Sequence, residues 1–181
     1  FSDTTKWDES VNRKSYDARF SLGAVGLSHK VVIDNNTYMH TSFAPTGNTF
    51  DWSQKRYDDN LILLPKTKFN DNRWKYTLTS FINHKFSARH TNKTGFTVDW
   101  LNYNIENRQA DEYGDPMENI IFQKGNTSLL QLYSQSKIGI GSSLLINAGL
   151  HAQYFSLNEH YSIEPRLGIR WKLDEYQTLG F

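Results

Sequence analysis

Apolar and polar residues alternate with a period of two along much of the chain, most clearly over residues 162–173. The apolar positions are Ile163, Pro165, Leu167, Ile169, Trp171 and Leu173, and the positions between them are Ser162, Glu164, Arg166, Gly168, Arg170 and Lys172. This pattern predicts a β-strand with one apolar and one polar face. The period fits a soluble sandwich, whose apolar face points inward, and a transmembrane barrel, whose apolar face points to lipid.

Further stretches repeat the pattern and predict an antiparallel, meandering all-β fold. Alternation is clear over 143–155, 75–87 and 94–105, and weaker over 16–33, 37–43 and 128–137; residues 177–181 predict the start of a further strand. After Trp100 the apolar phase shifts by one residue. That shift indicates either a β-bulge or a strand that leaves the membrane at an aromatic girdle. The sequence thus predicts about seven to eight strands.

The predicted connections differ in length in a roughly alternating order. Residues 34–36, 88–93, 138–142 and 174–176 form short connections, whereas 45–74 and 106–127 are long and polar, and 157–161 is intermediate. Outer-membrane barrels have short turns on the periplasmic side and longer loops outside. No internal repeat or low-complexity linker divides the chain, so residues 1–181 are predicted to be one domain or a fragment of one.

Composition narrows the class of protein. No apolar run approaches the roughly 20 residues that a membrane-spanning helix requires, and a mean hydropathy of −0.65 is compatible with strands that face lipid at every second residue. The absence of cysteine excludes a disulfide framework and a thiolate site, and a net charge of +1 gives no indication of nucleic-acid binding. The chain opens at Phe1 without a leader, so we expect an internal piece of a larger protein.

Residues that could support chemistry are sparse. The six histidines are scattered, the carboxylates of 111–118 do not have EF-hand spacing, and no nucleophile motif is present, so we predict no enzyme, no metal site and no cofactor. Four charged residues share the polar face of one predicted strand. They fit a salt-bridge network or a ligand path on a barrel lumen, and they are Glu164, Arg166, Arg170 and Lys172.

The run from Ser143 to Phe181 resembles the barrel of TonB-dependent outer-membrane receptors, particularly those of Bacteroidetes. The residues that carry the resemblance are Asn147, Ala148, Gly149, Leu150, His151, Tyr154, Ser162, Ile163, Glu164, Pro165, Arg166, Leu167, Gly168 and Arg170. Residues 28–30 and 94–96 resemble the family more loosely. The resemblance implies a segment of a larger barrel in the bacterial outer membrane, surrounded by its lipid, that takes up a nutrient with energy from the TonB complex. Neither the plug domain nor the TonB box of this family is visible in the sequence.

Two alternatives stay open at this point. One is a complete small barrel of about eight strands with a structural role. The other is a soluble all-β module that binds a ligand or carbohydrate through exposed Trp and Tyr rings; its apolar faces would have to meet each other. In each case Trp7, Trp52 and Trp74 are expected in loops or at strand edges.

Overall fold

The computed structural model describes residues 13–181, and these residues form nine β-strands and no helix. The strands are β1 (Lys14–Ala24), β2 (Leu27–Asp34), β3 (Thr37–Tyr57), β4 (Leu63–Ser87), β5 (His90–Gln109), β6 (Glu118–Ile140), β7 (Leu144–Phe155), β8 (His160–Lys172) and β9 (Thr178–Gly180). Within these residues there is no helix that is long and apolar enough to cross a membrane. The prediction of an all-β fold is confirmed.

All nine strands belong to one sheet. Its order is β1, β3, β4, β5, β6, β7, β8, β9, and β2 also pairs with β3. β1 pairs antiparallel with the second half of β3, and β2 pairs antiparallel with the first half. The stretch 16–33, which the pattern predicts as one strand, is therefore two strands separated by Val25 and Gly26. From β6 to β9 each strand pairs antiparallel with the next, as predicted.

The described residues cluster into two compact units. Of the described residues, unit 1 comprises 13–24, 46–74 and 101–126, and unit 2 comprises 25–45, 75–100 and 127–181. Strands β3, β4, β5 and β6 contribute residues to both units.

The prediction of long loops at 45–74 and 106–127 is wrong. β3 continues to Tyr57 and β4 begins at Leu63, while β5 continues to Gln109 and β6 begins at Glu118. Only residues 58–62 and 110–117 connect these strands. The prediction failed because a strand whose two faces both contact water can be polar on both faces. Such a strand has no hydrophobic period, so its sequence resembles that of a loop.

Unit 2 carries a continuous apolar face on β7 and β8. The register places Ile146 opposite Ile169 and Ala148 opposite Leu167, and residues that oppose each other across a ladder share a face. These side chains are not covered: Leu167 is 70% exposed. An apolar face of this extent, left open, is unusual for a protein surrounded by water.

A hydrophobic core is almost absent from the described residues. Ala110 is the one buried apolar side chain among them, and none of their large side chains is fully buried. The soluble-module alternative requires the apolar faces to pack against each other, and in residues 13–181 they do not. Within the described residues the apolar period therefore marks an exposed face.

The apolar face of unit 2 also contains hydrogen-bonded polar side chains. Ser134 lies opposite Leu150, and Ser136 lies opposite Ala148, so both serines are on this face. Asn92 Nδ2 donates to Ser136 Oγ at 3.0 Å, Thr94 and Ser134 share a hydrogen bond of 2.8 Å, and His90 Nε2 lies 3.2 Å from Ser136 Oγ. In lipid a polar group without a partner is costly. Mutual pairing lets these residues occupy an apolar surface.

In unit 1 two aromatic side chains, on different strands, each lie over a glycine of a neighbouring strand. A Cβ added to Gly47 would come within 2.7 Å of the Trp74 ring, and one added to Gly125 within 2.8 Å of Tyr103 Oη. Trp74 lies inside β4, and Trp52 lies inside β3, so the expectation of loops or strand edges is wrong for both. Trp7 lies outside the described residues.

The apolar alternation of two strands ends at a tryptophan. Along β4, Asn70 and Asn72 precede Trp74, and along β5, Asn102 and Asn104 follow Trp100 at the same two-residue spacing. β5 runs on from His90 to Gln109 beyond that point. The strand thus continues through the phase shift at Trp100, and the bulge and the aromatic girdle both stay predictions.

Candidate functional site

The polar face of β7 and β8 in unit 2 brings charged side chains of neighbouring strands together. The register places His151 opposite Glu164 and Gly149 opposite Arg166. Because these positions alternate with the apolar ones along each strand, their side chains lie on the face opposite to Leu167. The two-residue period of the sequence thus determines which residues can form a site here.

Glu164 is the centre of a small charged cluster. Arg166 Nη2 donates to Glu164 Oε2 at 3.0 Å, and Ser162 Oγ donates to Glu164 Oε1 at 3.4 Å. His151 Nδ1 lies 3.5 Å from Glu164 Oε2, which is ion-pair distance if the imidazole is protonated. That nitrogen is shielded from solvent and makes no hydrogen bond within the described residues.

The structure separates the four predicted polar-face residues into two groups. Glu164 and Arg166 belong to the cluster. Arg170 lies opposite Gly180, and Lys172 lies opposite Thr178, so both are on the part of β8 that pairs with β9. Both are exposed. The salt-bridge interpretation holds for the first pair, whereas a role in ligand binding stays a prediction for all four.

A row of aromatic and cationic side chains, which the sequence analysis missed, lies on strands β2 to β6 of the same unit. Lys93 Nζ lies 3.9 Å from the centroid of the Phe81 ring and 5.8 Å from that of Tyr133. His40 stacks on Phe81 with ring centroids 5.3 Å apart. Tyr38 meets Phe81 edge-on at 6.0 Å, and the Tyr38 ring also carries Lys30 Nζ at 4.4 Å. These distances are typical of cation–π and aromatic pairs.

The register joins this row to the charged cluster, because Tyr133 lies opposite His151. We refer to the two sets together as the aromatic–cationic band, which comprises Lys30, Tyr38, His40, Phe81, Lys93, Tyr133, His151, Glu164 and Arg166. One sequence signal could have revealed it: Phe81 is an aromatic residue at a position of β4 where Thr77, Thr79, Asn83 and Lys85 keep a polar period.

Glycines allow the strands of the band to approach closely. A Cβ at Gly95 would lie 2.5 Å from the backbone oxygen of Ser80 and 2.6 Å from Phe81 Cβ. A Cβ at Gly149 would lie 2.9 Å from the backbone oxygen of Ser134. Any larger residue at either position would displace backbone.

A cavity of about 280 Å³ opens beside Gly149. Its lining includes Tyr133, Gln135, His151 and Arg166. The site therefore offers an aromatic ring, an amide, an imidazole and a guanidinium, with one carboxylate at Glu164. Such groups recognise a ligand through aromatic contact and through hydrogen bonds to a carboxylate or an amide.

Comparisons with known proteins give a likeness in fold. No family model matches the chain, and no curated protein sequence matches it. Among solved structures, the chain is similar to part of the structure of the RagAB peptide transporter, with a TM-score of 0.64 and 10% sequence identity. The similarity covers 90% of this chain but only 21% of the matched chain. At this identity the likeness concerns the fold alone.

Proposed function

We propose that this chain is a segment of the wall of an outer-membrane transporter, a β-barrel that takes up a nutrient with energy from the TonB complex. The observation that carries the proposal is the open apolar face of unit 2 together with the near absence of a core in the described residues. Lipid is the solvent that accommodates such a face, and paired strands satisfy their backbone groups within it. The fold similarity to part of a transporter structure supports the same function.

In this proposal the polar face of unit 2 borders the lumen through which the ligand passes. The aromatic–cationic band then contacts the ligand. Because the similar structure is that of a peptide transporter, we extend the proposal to peptide-like ligands. Arg166 and Lys93 would meet carboxylates, and the rings of Phe81 and Tyr133 would meet apolar side chains.

The first test is the location of the full-length gene product. The protein is expressed from its own gene, the cell envelope is fractionated, and unboiled and boiled samples are compared on a gel. We expect the protein in the outer-membrane fraction, with a faster-moving unboiled form, because folded barrels resist detergent until heated. A soluble product with no heat-dependent shift would refute a membrane barrel.

The second test concerns uptake through the band. Lys93→Gln and Arg166→Gln remove one charge each, and Lys55→Gln in unit 1 is the matched control, since Lys55 is on β3 and outside the band. We expect severalfold slower uptake of labelled short peptides in the two band variants and unchanged uptake in the control. Uptake should also stop when the TonB complex is deleted. Unchanged uptake in both band variants, with normal heat-shifted protein, would remove the band from the ligand path and leave the barrel proposal intact.

A further inference from the structure

A second cavity, of about 230 Å³, lies in unit 1 and has a different composition. Its lining includes one indole, four carboxamides and one ammonium group, which belong to Trp74, Asn72, Asn102, Asn104, Lys124 and Asn126. On each of β4, β5 and β6 the contributing residues are two positions apart. Their side chains therefore project to one face of the unit.

The indole of Trp74 is held as a platform. It lies against Gly47 of the neighbouring strand, where an added Cβ would come within 2.8 Å of three ring atoms. Even so, Trp74 remains 47% exposed. A ring fixed on one side by backbone and open to solvent elsewhere can stack on a ligand with little loss of conformational freedom.

The groups around the platform select the chemistry of the ligand. Each asparagine amide presents two donors and one acceptor oxygen, which can bridge neighbouring hydroxyl groups. Lys124 adds a positive charge suited to a phosphate, and the cavity lining includes no carboxylate. This set excludes a basic ligand, which would need a carboxylate, and an acyl chain, which would leave the amides unpaired.

We propose that this cavity binds the phosphorylated saccharide head group of an outer-membrane glycolipid. One face of a sugar ring would stack on Trp74, the asparagines would bind its hydroxyls, and Lys124 would bind its phosphate. The choice of a membrane-bound source over a free phosphorylated saccharide rests on the proposed function.

The test uses the full-length protein purified in detergent. Three probes are compared by native mass spectrometry and calorimetry: an intact phosphorylated glycolipid, its acyl-free phosphorylated oligosaccharide, and that oligosaccharide after phosphatase treatment. Trp74→Leu removes the platform, and Trp171→Leu is its control, since Trp171 is similarly exposed at 49% and lies on β8. Lys124→Gln removes the charge, and Lys55→Gln is its control.

We expect the intact glycolipid to bind most tightly and the acyl-free phosphorylated form to bind more weakly. Trp74→Leu and Lys124→Gln should each weaken both by about three- to tenfold, with the controls unchanged. Removal of the phosphate should abolish the effect of Lys124→Gln and keep that of Trp74→Leu. If Trp74→Leu fails to fold, the exposed Lys124→Gln variant and the phosphatase comparison still decide the result.

Four results would overturn the proposal in whole or in part. If no variant weakens any probe, the cavity does not bind saccharide. If the oligosaccharide binds as tightly without phosphate and Lys124→Gln has no effect, the ligand is a neutral glycan. If the protein is soluble but retains the pattern of variants with the acyl-free phosphorylated form, the glycolipid source and the proposed transporter function fail together. Location in the outer membrane with no effect of either variant refutes the cavity assignment alone.

Discussion

Replacing Leu167 by arginine measures directly whether the apolar face of unit 2 lies in lipid. Leu167 is 70% exposed, so in water an arginine there would clash with nothing and change the free energy of unfolding by no more than about 0.5 kcal/mol. In lipid the position matters. Leu167 lies five residues from Lys172, the nearer end of β8, or about 17 Å along the strand. With a tilt of about 45° this is about 12 Å of depth, close to the middle of an apolar band about 25 Å tall.

At that depth an arginine on the lipid face costs about 2–4 kcal/mol, which is a factor of roughly 30 to 700 in the folding equilibrium. Two controls separate depth from face. Tyr161→Arg lies on the same face near the start of β8 and should cost no more than about 1 kcal/mol. Asn147→Arg lies on the polar face, opposite Gly168, and should also have a small effect. The assay is urea unfolding of the full-length protein in lipid vesicles. Equal, small effects of all three variants would refute a lipid-facing surface.

Two further predictions concern backbone packing and a turn. Gly95→Ala should lower the free energy of unfolding by about 1–3 kcal/mol, because the added Cβ would meet the backbone of Ser80 and Phe81. The control Gly23→Ala should be neutral or slightly stabilising, because no atom lies within 4 Å of the added Cβ. Equal unfolding midpoints of the two variants in urea would contradict the close approach of β4 and β5. At the turn after β2, the pKa of Asp34 is held below its ordinary value of 3.8, first by the hydrogen bond from the Asn36 N–H and then by that from the Thr37 hydroxyl. A lowered folded-state pKa stabilises the turn at pH values above the ordinary pKa, and this stabilisation is lost as the pH falls through the folded-state pKa. The difference in the free energy of unfolding between the parent and Asp34→Ala should therefore shrink from pH 7 to pH 3. A difference that is independent of pH would show that the carboxylate charge has no role.

The sequence alone determined the fold class and the composition of the two faces of unit 2. An alternation of apolar and polar residues is a property of one strand, so it can be read without knowing the partner strand. For this reason Ile163, Leu167 and Ile169 were correctly predicted to share a face, and Glu164 and Arg166 to share the opposite one. The same alternation could not distinguish an exposed apolar face from one packed in a core. That distinction came from the exposure of the apolar side chains in the described residues.

Tertiary structure decided which residues on a face are neighbours. Lys93 lies near Phe81 and Tyr133, and Asn92 bonds to Ser136, because strands distant in the sequence pair in a particular register. The sequence also gave no sign that strands β3, β4, β5 and β6 continue through polar segments, because a strand without an apolar face has no hydrophobic period. The cavity beside Trp74 depends on three strands at once. Local pattern fixes what each strand presents, and register, which is a long-range property, fixes what those groups can bind together.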